Sequence, residues 1–186
     1  PFDRNRRGLN LGEGAGIVVL EREDVARQRG TNILAHVVAY RSYADAHHPT
    51  APHPHGRGLR RAFQHALRDA ALEPRQVGFV SAHGTATSDN DRVEGRTIHE
   101  TFGAGVPVVA TKAYTGHTLG AAGGLQAALT VRALLDQRLP ATAGFEEADP
   151  EVMCCPTREI TPLQADAAIS NSLAFGGNNS LLVFRR

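Results

Sequence analysis

The chain is expected to fold as a layered α/β sheet with helices on its faces, and three observations lead there. Short apolar runs alternate with segments of helical spacing through most of the 186 residues, the alternation that builds a sheet covered by helices. Near the C-terminus apolar runs follow one another without a helix between them, so strands dominate that end. Two histidine motifs fall just after predicted strands, where sheets of this class carry their functional loops.

Taken in order, Gly14-Ala-Gly-Ile-Val-Val-Leu20 is an apolar run after glycines and predicts a buried strand. Residues 21–28 have helix-forming composition, and Gly30 is placed to end that helix. Residues 33–40 are β-like, and 42–54, rich in His, Ala and Pro, read as a loop. Leu59, Ala62, Phe63, Ala66, Leu67 and Ala70 recur at helical spacing within 58–72, with Pro74 to stop the helix. Residues 77–80 predict a strand that delivers His83. Residues 89–102 predict a helix, with Ser88 or Asp89 as N-cap and Gly103 at its end. A strand at 106–111 delivers Lys112. A long helix at 119–135 is rich in Ala and Gly, small residues suited to close packing on a sheet. Residues 152–155, 167–170 and 180–184 are the last predicted strands, the final two joined by Phe175-Gly-Gly-Asn-Asn179.

The bulk numbers bound the function. A content of 41% hydrophobic and 21% charged residues is that of an ordinary globular protein. A formal charge of +1 gives no electrostatic ground for nucleic acid or an anionic membrane as partner. Arginines at 4, 6 and 7 and at 57, 60, 61 and 68 read as solvated faces ahead of a docking patch. No run has transmembrane length and no signal segment opens the chain, so a cytoplasmic location is expected. Adjacent Cys154 and Cys155 offer neither a disulfide framework nor metal-ligand spacing. They also lack the strand-to-helix turn of an activated thiolate, so packing is the better reading for both. The chain opens at Pro1-Phe-Asp without a methionine, and residues 1–186 read as the second half of a two-part catalytic fold.

The candidate site comes from three loops. A lone histidine after a strand is ordinarily structural, but His83 precedes a glycine that lets a ligand approach the backbone, and Thr85 and Thr87 offer hydroxyls. His117 sits at the expected N-terminus of the Ala/Gly-rich helix, whose dipole favours a neutral imidazole able to donate to an oxyanion. Lys112 lies on the same loop and can orient or polarise the site. Phe175-Gly176-Gly177 is a hairpin turn whose amides can approach a carbonyl oxygen. Among His48, His53 and His55, interleaved prolines prevent a helical metal-binding display, so a loop lining an entrance is the better reading.

With these residues in place, the sequence resembles the β-ketoacyl-acyl-carrier-protein synthases, in particular the KAS II-like condensing enzymes. The resemblance rests on Phe2-Asp-Arg-Asn-Arg-Arg-Gly8, Gly12-Glu-Gly-Ala-Gly16, His83-Gly-Thr-Ala-Thr87, Lys112 with Thr115-Gly-His117 and Leu119-Gly-Ala-Ala-Gly123, and Asn171-Ser-Leu-Ala-Phe-Gly-Gly-Asn178, in order. It covers this whole chain but only the C-terminal half of the family's catalytic unit.

The resemblance implies the C-terminal half of a thiolase fold, a layered α-β-α unit with a mixed sheet. It implies decarboxylative Claisen condensation of malonyl-acyl carrier protein with an acyl chain held on a cysteine, in fatty acid or related polyketide or polyene synthesis. His83 and His117 would stabilise the enolate, Lys112 would support the site, and Thr85 and Thr87 would contact pantetheine. The loop around Phe175 would gate the pocket, a backbone amide there would help form an oxyanion hole, and Phe175 and Gly176 would join the threonines in binding substrate and pantetheine. No cofactor or metal is implied beyond substrates carried on phosphopantetheine. The implied partners are acyl carrier protein, the cysteine-bearing N-terminal ketosynthase half, and a second ketosynthase unit in a homodimer or heterodimer.

There are departures from the family pattern. Gln126 stands where many relatives have glutamate, and Leu173-Ala174 where they often have Phe-Gly. One rival is a non-catalytic, chain-length-factor-like subunit, against which the joint presence of His83, Lys112 and His117 argues. Another is a thiolase or modular polyketide ketosynthase. A thiolase would use a C-terminal cysteine base, and 171–179 contains none.

Overall fold

The computed structural model describes residues 1–186. A short helix, α1 (Glu23–Gln28), precedes strand β1 (His36–Ala44) and helix α2 (Arg57–Asp69). Strand β2 (Phe79–Ser81) leads to α3 (Ser88–Phe102). Strand β3 (Val108–Val109) leads to the single-turn α4 (Lys112–Thr115), then to α5 (Ala122–Asp136). Two short strands, β4 (Arg138–Leu139) and β5 (Thr161–Pro162), pair with each other, and β6 (Ala167–Ala174) and β7 (Asn178–Arg185) form the C-terminal hairpin.

The main sheet has the order β1-β7-β6-β2-β3. It is parallel through β6, β2 and β3 and antiparallel through β6, β7 and β1, the expected mixed sheet. Side chains alternate faces along each strand. Val80, Ile169, Leu181 and Val183 therefore share one core with Leu59, Phe63 and Ala66 of α2 and Ile98 of α3. Phe79, Ala168 and Phe184 share a second core with Ala127, Ala133 and Leu134 of α5. The result is the α-β-α layering predicted from the alternation of segments.

Differences from the predicted elements have local causes. Residues 14–20 form no strand, and Ile17 and Val19 stand 87% and 85% exposed. A strand is a paired structure, and this segment finds no partner strand among the 186 residues. Its glycines serve a different end: a Cβ on Gly16 would lie 2.3 Å from the Leu125 amide nitrogen, so the segment crosses α5 backbone against backbone. The stretch 152–155 forms no strand: Val152 closes a turn, and Met153 at φ +65 breaks the extended run. Helix α2 stops well before Pro74. Ala71 is left-handed at φ +51, and the Leu72 amide closes back on the Leu67 carbonyl at 2.9 Å. Strand β1 runs on to Ala44, into residues read as loop, because each residue from Ser42 to Ala44 pairs with β7.

Phe63 is fully buried and meets Phe102 edge-to-face, with ring centroids 5.1 Å apart. Phe63→Ala is expected to lower stability by about 3–5 kcal/mol. Urea denaturation of the full-length protein measures this, and a loss under about 1 kcal/mol would contradict the packing described.

Candidate functional site

The parallel strands β2 and β3 end side by side, Ser81 opposite Val109, so the loops that leave them emerge at one edge of the sheet. His83 comes after β2 and Lys112 after β3, both buried. The Lys112 ammonium donates to the His83 carbonyl at 2.6 Å and reaches His83 Nδ1 at 3.1 Å. An ammonium has no lone pair, so Nδ1 must accept and the ring proton sits on Nε2. Burial, then Lys112 and His117, holds the His83 pKa well below the usual imidazole value.

His117 reaches the same place from the loop after α4. Its ring lies at 84° to that of His83, with centroids 5.4 Å apart. Its Nδ1 accepts the Leu119 amide at 3.1 Å, which again leaves the proton on Nε2. Its pKa is lowered by burial and by Lys112. The expected helix end differs in detail, since α5 begins only at Ala122, after a 3₁₀ turn over Leu119–Ala121. The donor that fixes His117 is thus a single amide at the start of that turn. The loop is pinned from the N-terminal segment: His117 donates its amide to the Asn10 carbonyl at 2.7 Å and accepts from Gly12 at 3.1 Å. Only glycine fits at 12, where a Cβ would lie 2.0 Å from the Thr115 carbonyl oxygen.

His83 and His117 line a cleft of about 890 Å³. Thr85 and Thr87 also line it, with their hydroxyls 2.8 Å apart, and Phe175 stands exposed at its rim. Gly176 and Gly177 tie this turn to a neighbouring loop. The Gly176 amide donates to the Pro49 carbonyl at 2.6 Å, and the Asp45 amide donates to Gly177 at 2.8 Å. The Gly176 amide is therefore engaged by the 45–55 loop. That loop contributes Thr50, Ala51 and Pro52 to the cleft. His48 Nδ1 caps its turn by accepting the amides of Thr50 and Ala51, while the His53 ring packs at a tilt between those of His47 and His55.

Sequence reasoning missed Glu94. It is fully buried on α3 and accepts the amides of His83 (2.6 Å) and Gly84 (2.9 Å) and the side-chain amides of Asn171 (2.6 Å) and Asn90 (3.2 Å). Burial raises its pKa to about 7, against the pull of its donors. Lys112 is lowered to about 8, chiefly by burial and partly restored by Glu94 and Asp91. The available signal was spacing: Asp91, Glu94 and Ile98 fall three and four residues apart, on one helix face that proves buried. The basic-face reading of Arg6 is also corrected. Its side chain is buried, 2.5 Å from Asp149 and 3.7 Å from Asp91. Arg4 and Arg60 do form surface ion pairs. Cys154 is buried and its thiol pushed well up by that burial, while Cys155 is exposed.

Comparison with known proteins adds an independent line. Residues 34–146 match the family model described as "Beta-ketoacyl synthase, C-terminal domain". The chain is 42% identical over its whole length to 3-oxoacyl-acyl-carrier-protein synthase 2 of Synechocystis sp., covering 46% of that protein. It superposes on the ishigamide ketosynthase/chain length factor with a TM-score of 0.94 at 38% identity, covering all of this chain and 46% of that one. A type II polyketide ketosynthase solved in complex with its acyl-carrier protein gives a TM-score of 0.95 at 31% identity, with the same coverage. The chain spans about half the length of the curated relatives it matches.

Glu94→Gln would set an amide NH₂ against two of the donors that the carboxylate accepts. It is expected to cost about 2 kcal/mol of stability, the order of a buried donor left unpaired. Equilibrium denaturation checks this, and an unchanged midpoint would show that the four contacts carry no weight.

Proposed function

This chain belongs to the β-ketoacyl synthase family, and from that premise we propose that it supplies the His/His/Lys part of a decarboxylative condensation site. The reaction joins malonyl-acyl carrier protein to an acyl chain held on an enzyme cysteine, in fatty acid or related polyketide or polyene synthesis in the cytoplasm. One observation carries the reading. Two imidazoles, each kept neutral and each with its proton fixed on Nε2 by a different donor, line one cleft.

The chemistry comes from that geometry. When malonyl thioester loses carbon dioxide, the breaking C–C bond leaves its electron pair as an enolate with charge on the thioester oxygen. Nε2–H of His83 and of His117 donate to that oxygen. Preorganised donors of this kind are worth about 3 kcal/mol each. The enolate carbon then attacks the acyl thioester, a C–C bond forms, and the cysteine leaves as thiolate. That cysteine belongs to the N-terminal ketosynthase half, since Cys154 is buried with its thiol held neutral and neither cysteine lines the cleft. The exposed apolar run at 17–20 supports a covering by that half.

Thr85 and Thr87 hold the pantetheine arm through their hydroxyls, and Phe175 gates the mouth. The substrates arrive on the phosphopantetheine of acyl carrier protein, with no further cofactor, and the completed unit pairs with a second ketosynthase.

His83→Ala in the full-length protein is expected to slow malonyl decarboxylation by at least about 10²-fold, the usual effect of removing one oxyanion donor. Carbon dioxide release from malonyl carrier protein measures it, and a rate near wild type would sink the assignment. Intact-mass spectrometry after incubation with an acyl donor provides a second check. Acyl mass gained by the wild-type protein fits a condensing enzyme, whereas none gained fits a non-catalytic partner.

A further inference from the structure

Gln126 is a polar side chain 1% exposed, on the face of α5 that packs against the sheet. All of its hydrogen-bonding groups are used. Its NH₂ donates to the Ser81 carbonyl at 2.7 Å and to the Asn171 carbonyl at 2.8 Å. Ser81 closes β2 and Asn171 lies in β6, so the amide spans two neighbouring strands beside the loop that bears His83. Its one remaining atom, Oε1, faces the Lys112 ammonium at 3.5 Å. The two donated bonds leave the oxygen no freedom to turn away.

We propose that Gln126 is a positioning residue: clamped by β2 and β6, its carbonyl oxygen holds the Lys112 ammonium on His83 Nδ1, and so holds the His83 proton on Nε2, without placing a negative charge beside the lysine. This rests on the condensation reading only for its functional consequence. The geometry is the chain's own. A carboxylate at 126 could not reproduce it, because it has no N–H for either carbonyl and would set its oxygens against theirs.

The charges facing Lys112 come from each packed element. The loop after β2 gives neutral His83, the loop after α4 gives neutral His117, and α3 gives Glu94 and Asp91. Helix α5 gives only the uncharged Gln126. Neither carboxylate touches the ammonium, whose contacts are His83 and Gln126. The lowered proton affinity of Lys112, to about 8, agrees with an ammonium that lacks a contacting counter-ion.

Lys112 is the only lysine in the chain. In full-length protein labelled with [¹³Cε]lysine the Lys112 resonance is assigned by its disappearance in Lys112→Arg, and its shift is followed against pH. Gln126→Glu is expected to raise the Lys112 midpoint by at least about one unit, a tenfold gain in proton affinity. Gln126→Met, which removes the acceptor at similar volume, is expected to lower it. The upper pH limb of malonyl decarboxylation is expected to move with the midpoint in each case. Midpoints unchanged in both variants, with only stability reduced, would overturn the proposal and leave Gln126 a packing residue. If Gln126→Glu does not fold, the Met variant alone decides. Midpoints that shift in a protein unable to decarboxylate malonyl carrier protein would uphold the Gln126 role while removing the functional reading.

Discussion

A single buried carboxylate holds the site together. Glu94 takes the amides of His83 and Gly84 on one side and the Asn171 side chain on the other, so α3, the loop after β2 and strand β6 meet at two oxygen atoms. An ionised carboxylate away from water is tolerated only when its lone pairs are filled, and here four donors fill them. Because two of those donors are the backbone amides of His83 and Gly84, the carboxylate fixes the main chain from which the ring projects. Lys112, which binds the carbonyl and ring of the same histidine, completes the frame from β3.

The frame works by exclusion as much as by attraction. Lys112 cannot accept a hydrogen bond while it is an ammonium, and the Leu119 amide N–H cannot accept one at all. Each histidine thus has one nitrogen taken, and only Nε2–H remains to donate. Burial lowers the proton affinity of both rings, so neither becomes imidazolium at neutral pH, where Nδ1 protonation would break these contacts. Sheet topology supplies the rest, since adjacent parallel strands deliver His83 and Lys112 to the same edge.

Much of this was legible in the sequence. Apolar spacing located α2 to within a few residues, because a helix that covers a sheet must show its buried face every three or four positions, while end signals located α3 and small-residue composition located α5. His83, Lys112 and His117 were marked by glycines and by their place after strands. Glu94 was hidden by its type: a glutamate within a charged helix reads as solvated until the backbone amides that bind it are located in space. The run 14–20 misled for the opposite reason, its composition describing a strand whose pairing the sequence of these residues does not contain. The bond from the Gly176 amide to Pro49 was not legible, because its partner lies over a hundred residues away and no local pattern announces it.

The bonds from Gly176 to Pro49 and from Asp45 to Gly177 have a mechanical meaning. They clasp the tip of the β6–β7 hairpin to the histidine-rich loop by main-chain contacts that only a proline at 45 or 176 would delete. Asp45 extends the clasp by accepting the amides of His53 and Gly58, which fastens the same loop to the start of α2. Phe175 therefore sits on an anchored turn. A displacement of its main chain strains both leaves of one articulated rim, and the work done at the mouth of the cleft is transmitted along the chain to the first turn of a helix.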